Sequence, residues 1–85
     1  MPTYRVEDTC DGFHVEMSAQ TGEDCVLDLS YLDVRRVLNG NLLLRGSLFV
    51  RRVGEELEFR IARPGVRAAD REVGRVPASR FQVMA

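Results

Sequence analysis

The sequence contains no lysine, and all twelve of its basic residues are arginine. The absence of lysine excludes Schiff-base catalysis and a P-loop lysine. None of the seven glycines lies in a G-x-G-x-x-G or G-x-x-x-x-G-K pattern, so no phosphate-binding glycine loop is predicted. Two explanations of the arginine bias stay open. One is the codon usage of a GC-rich bacterial or phage genome, and the other is use of the planar guanidinium group against phosphate or carboxylate.

Long apolar runs are also absent. None exceeds the three residues of Leu42–Leu44, whereas a membrane-spanning helix needs about 20. No hydrophobic region typical of a signal peptide follows Met1. We therefore expect a soluble, cytoplasmic protein without a membrane partner. The length of 85 residues, with 45% apolar and 29% charged residues, predicts a single globular domain over residues 1–85.

Residues suited to catalysis or metal binding are scarce. His14 is the only histidine, and it shares the polar side of an alternating segment with Glu16, away from Cys10. A nucleophile–histidine pair is therefore not expected. Two cysteines and one histidine cannot complete the four ligands of a structural zinc site. We expect no enzymatic activity, no cofactor and no metal.

Cys10 and Cys25 are expected to be reduced core residues. In an up-and-down meander they lie at opposite ends of the central strand, about seven residues or roughly 23 Å apart. A disulfide needs Cα atoms within about 7 Å. Two reduced cysteines suit a cytosolic compartment.

The first hairpin is predicted from an alternating segment and a turn. Apolar and polar residues alternate strictly over Phe13–Gln20, which indicates a half-buried strand. Asp11-Gly12, directly before it, is typical of a two-residue type I′ turn. The resulting register pairs Cys10 with Phe13, Asp8 with Val15, Val6 with Met17 and Tyr4 with Ala19.

A short strand over Cys25–Leu29 and a short helix over about residues 30–39 follow. Ser30 suits the N-cap, and Asp33 suits the positive end of the helix. Asn39-Gly40 provides a C-terminal stop. The apolar spacing predicts that three residues face the sheet: Tyr31, Val34 and Leu38.

A second hairpin joins strands over Leu48–Val53 and Glu56–Ala62 through Gly54-Glu55, which fits a type II′ turn. Its register places Val50 opposite Phe59, Leu48 opposite Ile61 and Arg51 opposite Glu58. Three further segments are read less specifically: Leu42–Arg45 as a strand or a buried connector, Val73–Val76 as a short strand, and the residues after Pro77 as a short C-terminal helix or an edge strand over Phe81–Met84.

Together these elements predict an α+β fold: a small antiparallel sheet of β-hairpins with four to six strands and one short helix packed on it. The expected core comprises Phe13, Val15, Met17, Val34, Leu38, Val50, Leu57, Phe59 and Ile61.

Charge is unevenly distributed along the chain. Residues 1–44 hold three arginines and eight acidic residues, a net charge of −5. Residues 45–85 hold nine arginines and five acidic residues, a net charge of +4. Either the two halves neutralise each other in the fold, or the basic half forms a partner-binding face.

Two classes of function fit these features. The first is a protein-binding module: an adaptor, regulator or inhibitor that occludes a partner's surface, with a phage or mobile-element origin favouring the inhibitor. The alternative is nucleic-acid binding through an arginine-rich C-terminal hairpin and loop. Arg67, Arg71 and Arg75 would line one face if residues 66–75 were helical. The candidate partner-binding residues are Phe49, Arg51, Arg63, Arg67, Arg71 and Arg75.

The segment Asn41–Val50 predicts self-association. Six of its ten residues are apolar and Arg45 is its only charge, so it lacks the charges that protect most edge strands. One strand face cannot bury both Leu48 and Phe49. A homodimer would cover the remaining apolar surface. The alternative is that Phe49 packs under the segment Pro64–Glu72 of its own chain.

Overall fold

The part of the chain that the structure describes combines strands with a single α-helix. The computed structural model describes residues 3–18, 24–61 and 72–81. In chain order the elements are β1 (Thr3–Asp8), β2 (Gly12–Ser18), β3 (Asp24–Ser30), α1 (Tyr31–Leu38), β4 (Leu43–Arg45), β5 (Leu48–Val53), β6 (Glu56–Ile61), β7 (Glu72–Pro77) and a 3-10 helix (Ala78–Phe81). The predicted α+β class is confirmed.

The strands form two antiparallel sheets, with strand orders β1-β2-β3 and β4-β5-β6-β7. The expectation of one sheet with four to six strands therefore needs refinement. Helix α1 lies between β3 and β4 in the chain and contacts strands of both sheets. The chain uses this helix to leave the first sheet and begin the second.

The hairpin of β5 and β6 has the predicted register. Val50 lies opposite Phe59, Leu48 opposite Ile61, and Arg51 opposite Glu58. Gly54 has a φ of 61°, and the described residues include no other residue type with positive φ. This combination fits a type II′ turn, in which only the first central residue needs a positive φ.

The hairpin of β1 and β2 differs from its prediction by two residues. Val6 lies opposite Val15 and Tyr4 opposite Met17. Gly12 forms no type I′ turn; it belongs to β2 and pairs with Ser30 of β3. A Cβ at Gly12 would lie 1.9 Å from the carbonyl oxygen of Leu29. The glycine is therefore required by the close approach of β3.

Helix α1 begins and ends where the sequence predicted. The Ser30 side chain accepts a hydrogen bond from the Asp33 backbone, and the Asp33 carboxylate accepts one from the Ser30 backbone, which completes a capping box. Asn39 is the C-cap, and Gly40 follows with a φ of 96°. The buried face differs in part, because Val34 and Val37 are buried whereas Tyr31 is 37% exposed and Leu38 is half-buried.

The segments with open interpretations are now assigned. Leu43–Arg45 is a strand, and Glu72–Pro77 forms the edge strand β7. Pro77 directly precedes the 3-10 helix, so the helical alternative is correct at Ala78–Phe81. Residues 82–84 of the competing strand lie outside the described residues, as does Ala62.

The inner faces of the two sheets and helix α1 enclose the core. The Phe81 ring joins the two sheets: its centroid is 5.3 Å from that of Phe13 in β2 and 6.4 Å from that of Phe59 in β6. All predicted core residues except Leu38 are buried, and Leu38 packs against the core from its edge. Cys25 is buried as expected, and the structure adds six buried residues to the prediction: Leu27, Leu29, Val37, Val73, Val76 and Phe81.

Both cysteines are free thiols, as predicted. Cys25 is buried, but the expectation of a core position for Cys10 is wrong. The shifted register ends β1 at Asp8 and places Cys10 in the exposed connection between β1 and β2.

We predict that Phe81→Ala lowers the free energy of unfolding by about 3–5 kcal/mol, because the ring is fully buried and fills the space between the sheets. Leu32→Ala is the matched control, because Leu32 is 56% exposed on helix α1, and its cost should stay below about 1 kcal/mol. Urea denaturation measures both. A loss below about 1 kcal/mol for Phe81→Ala would show that this ring does not hold the sheets together.

Candidate functional site

The outer face of the four-stranded sheet contains three of the six predicted partner-binding residues. Side chains of opposed residues in an antiparallel pair share one face. Phe49 lies beside Leu44 and Arg60, and Arg51 lies beside Glu58, which is in turn beside Arg75. Arg63, Arg67 and Arg71 lie outside the described residues.

A buried carboxylate organises the arginines of this face. Glu58 is only 1% exposed, and three guanidinium groups surround it. Arg51 Nε lies 2.7 Å from Glu58 Oε1, Arg60 Nη1 lies 3.2 Å from the same oxygen, and Arg75 Nη2 lies 3.1 Å from Oε2. Arg75 also donates from Nε to Glu72 Oε1 at 2.6 Å.

The ionisation of Glu58 depends on these arginines. Burial acts to raise the pKa of its carboxyl group, but hydrogen bonds and charge from Arg51 and Arg60 outweigh burial, and the pKa lies below its usual value. Glu58 is therefore a charged residue under a layer of arginine side chains. The Arg51–Glu58 pair was predicted from the hairpin register. The convergence of Arg60 and Arg75 on the same carboxylate was not.

Two of the predicted partner-binding arginines already form ion pairs within the chain. Arg51 and Arg75 direct their guanidinium groups at glutamates of their own sheet. Arg75 lies in strand β7, so a helix that covers all of residues 66–75 is excluded at its C-terminal end. Arg51 and Arg75 share a face because β5 and β7 both pair with β6, where each arginine lies beside Glu58.

The apolar part of the same face lies at its free edge, in β4. Leu44 is 66% exposed and Leu42, just before the strand, is 56% exposed. Leu44 lies opposite Phe49, which is half-buried. We name Leu42, Leu44 and Phe49 the edge patch. On the opposite face, Leu43 packs against the core and the Arg45 guanidinium contacts the Asp33 carboxylate at 2.5 Å.

The backbone of β4 is unpaired along one side. Arg45 and Leu48 flank a two-residue turn, so they form a hydrogen-bonded pair and the next pair, Leu44 with Phe49, does not. The Leu44 N–H and C=O therefore point away from β5, towards the free edge. Within the described ranges, β4 pairs with β5 alone.

The other three sheet edges carry the charges or proline that discourage strand addition. The protecting residues are Arg5, Glu7 and Asp8 in β1, Asp24 and Asp28 in β3, and Glu72, Arg75 and Pro77 in β7. In β4 the only charge is Arg45, and Asp33 already neutralises it. Among the described edge strands, β4 thus has the least protection from charge and proline, as the composition of Asn41–Val50 had suggested.

The outer face of the three-stranded sheet is polar, as its alternation predicted. His14 Nδ1 lies 2.6 Å from Asp28 Oδ1, and Nε2 lies 3.4 Å from Glu16 Oε1. The hydrogen bond to Asp28, then that to Glu16, raises the pKa of His14 above its ordinary value. The histidine has carboxylate partners and no adjacent nucleophile in this arrangement.

The other side chain considered for nucleophilic chemistry among the described residues is the buried Cys25. Burial raises the pKa of the Cys25 thiol, which disfavours the thiolate that nucleophilic chemistry requires. No group of three or more metal-ligating side chains occurs in the described ranges. Among the helices of the described ranges, none has the length and apolar character needed to cross a membrane.

No family model, curated protein or solved structure matches the chain. Two features of the four-stranded sheet therefore indicate function: the neutralised arginine cluster and the open β4 edge.

We predict that Glu58→Gln lowers the free energy of unfolding at pH 7 by about 1.5–3 kcal/mol, because three guanidinium groups lose a charged acceptor. A carboxyl whose pKa is lowered by folding stabilises the fold above its usual pKa, and this contribution is lost as the pH falls through the lowered value. The difference between wild type and variant should therefore shrink on acidification. Denaturant titrations at pH 7 and at lower pH test this.

Glu55→Gln is the control, since the Glu55 side chain is 93% exposed. Its effect at pH 7 should stay below about 0.5 kcal/mol. An equal effect of both substitutions at every pH would contradict the role given to Glu58.

Proposed function

We propose that this chain is a small, non-enzymatic protein-binding module that binds an extended segment of another protein along the free edge of β4. An adaptor, regulator or inhibitor acts in this way when the bound segment is needed by the partner. The observation that carries the proposal is the unpaired backbone of Leu44. It lies beside the exposed side chains of Leu42 and Leu44 and the half-buried ring of Phe49. A second copy of the chain is among the proteins that this edge suits.

Strand addition explains how such a small surface binds. An added strand accepts and donates main-chain hydrogen bonds at β4, and its side chains contact those of the edge patch. Covering an exposed leucine contributes about 1–2 kcal/mol, part of which offsets the loss of free motion on association. Specificity then depends on the apolar residues that the partner presents beside Leu42 and Leu44.

The charges of the sheet support a protein partner over a nucleic acid. Arg51, Arg60 and Arg75 surround Glu58, and Arg75 also contacts Glu72, so phosphate would have to displace existing ion pairs. The chain as a whole has a net charge of −1. Dedicated nucleic-acid-binding domains are usually strongly basic.

The test compares substitutions on two edge strands. We predict that Leu44→Glu reduces capture of the partner from an extract of the source cell at least ten-fold, because it places a charge at the centre of the free edge. Val26→Glu is the matched control: Val26 is 60% exposed and lies on β3 of the other sheet. Its capture should equal that of the wild type. Circular dichroism confirms that both variants fold.

Each extract is also treated with nuclease. Capture that survives nuclease and is lost only with Leu44→Glu supports the proposal. Capture that Leu44→Glu leaves unchanged contradicts the role of β4. Capture lost on nuclease treatment would instead favour the nucleic-acid alternative.

A further inference from the structure

The stretch of chain available for pairing at the β4 edge has a defined centre. Gly40 and Gly46, with φ values of 96° and 60°, flank the segment Asn41–Arg45. Left-handed residues cannot extend a regular ladder of strand hydrogen bonds. Leu43 is the middle residue of this segment. The Leu44 backbone groups point to the free edge, and continuing the extended geometry of β4 to Leu42 would direct its backbone groups the same way.

We infer that the occupant of this edge is a second copy of the same chain, with the two β4 strands antiparallel about a twofold axis through Leu43. In this register Leu42 of each copy lies opposite Leu44 of the other. The inference rests on the proposed function, since it names the partner for the same edge. Twofold pairing of identical surfaces is the commonest closed assembly of soluble proteins.

The backbone selects this register over its neighbours. Each hydrogen-bonded pair in an antiparallel ladder exchanges both of its N–H···O bonds. With Leu43 on the axis, Leu42 and Leu44 form two such pairs. With Leu44 on the axis, Leu42 lies opposite Gly46, and with Leu42 on the axis, Leu44 lies opposite Gly40. Both alternatives place a left-handed glycine in the ladder.

Side chains and charge agree with the same register. Leu42 and Leu44 are 56% and 66% exposed in one copy, and each would cover the other across the new ladder, beside Phe49. Arg45 lies opposite Asn41 of the second copy, so like charges do not meet. Shifting the axis to Arg45 would place two arginines opposite each other, at an energetic cost.

The assembly ends at two copies. Pairing joins the two four-stranded sheets at β4, and the outer strands of the combined sheet are then the two β7 strands. Glu72, Arg75 and Pro77 protect these edges. A closed dimer is therefore expected, and further growth is not.

Disulfide trapping tests the register in the full chain, with the exposed Cys10 changed to serine and the buried Cys25 retained. The inferred register places residue 43 of both copies in a non-hydrogen-bonded pair, with Cα atoms about 4.5 Å apart. A disulfide spans about 4.4–6.8 Å. Leu43→Cys should therefore form a covalent dimer under mild oxidation at about 10 µM protein.

Leu44→Cys is the matched control. In the inferred register the two copies of residue 44 are displaced along the ladder by two residues, beyond the roughly 7 Å limit for a disulfide. Its covalent dimer should form at least ten-fold more slowly. Circular dichroism of the reduced variants confirms folding, and light scattering of the wild-type chain at the same concentration should give the mass of a dimer.

The outcomes separate this inference from the proposed function. Faster trapping of Leu44→Cys than of Leu43→Cys overturns the register. A wild-type chain that scatters as a monomer overturns the second copy as partner, even if Leu43→Cys fails to fold. If that monomer still loses its captured protein with Leu44→Glu, the proposed function stands with a different partner.

Discussion

The packing of Phe81 between Phe13 and Phe59 is the contact on which the arrangement of the two sheets depends. Each sheet alone has one apolar face and is too small to bury it. The ring, placed by a short helix after β7, fills the space between β2 and β6 and fixes which faces turn inward. The arginine cluster and the β4 edge, to which we assign function, lie on the surface outside this packed region.

The packing of the two sheets leaves two surfaces of the four-stranded sheet exposed, and these surfaces differ in chemistry. On its outer face Glu58 holds Arg51, Arg60 and Arg75 in ion pairs, so most of that surface is neutralised within the chain. At its β4 edge the backbone of Leu44 is unpaired and the neighbouring side chains are apolar. An edge of this kind is a template for pairing with another strand, which is why protein binding fits the structure better than phosphate binding.

Local signals in the sequence determined much of this fold. Gly54 set the register of β5 and β6, and Ser30 with Asn39-Gly40 set the bounds of α1. The composition of Asn41–Val50 also indicated the unprotected edge. Gly12 led to a wrong turn prediction. A glycine is needed there because β3 approaches closely, and the sequence of the first hairpin does not contain that contact. The division into two sheets, the role of Phe81 and the burial of Glu58 depend on contacts between distant segments, and no local pattern encodes them.

Amide hydrogen exchange at single residues tests most directly whether the β4 edge is open in the isolated chain. In a solution dilute enough to be monomeric, the Leu43 and Arg45 amides, which bond to β5, should be protected. The Leu44 amide, which points to the free edge, should exchange far faster than either. Protection of the Leu44 amide equal to that of Leu43 in the monomer would show that the chain covers its own edge, and would contradict the account.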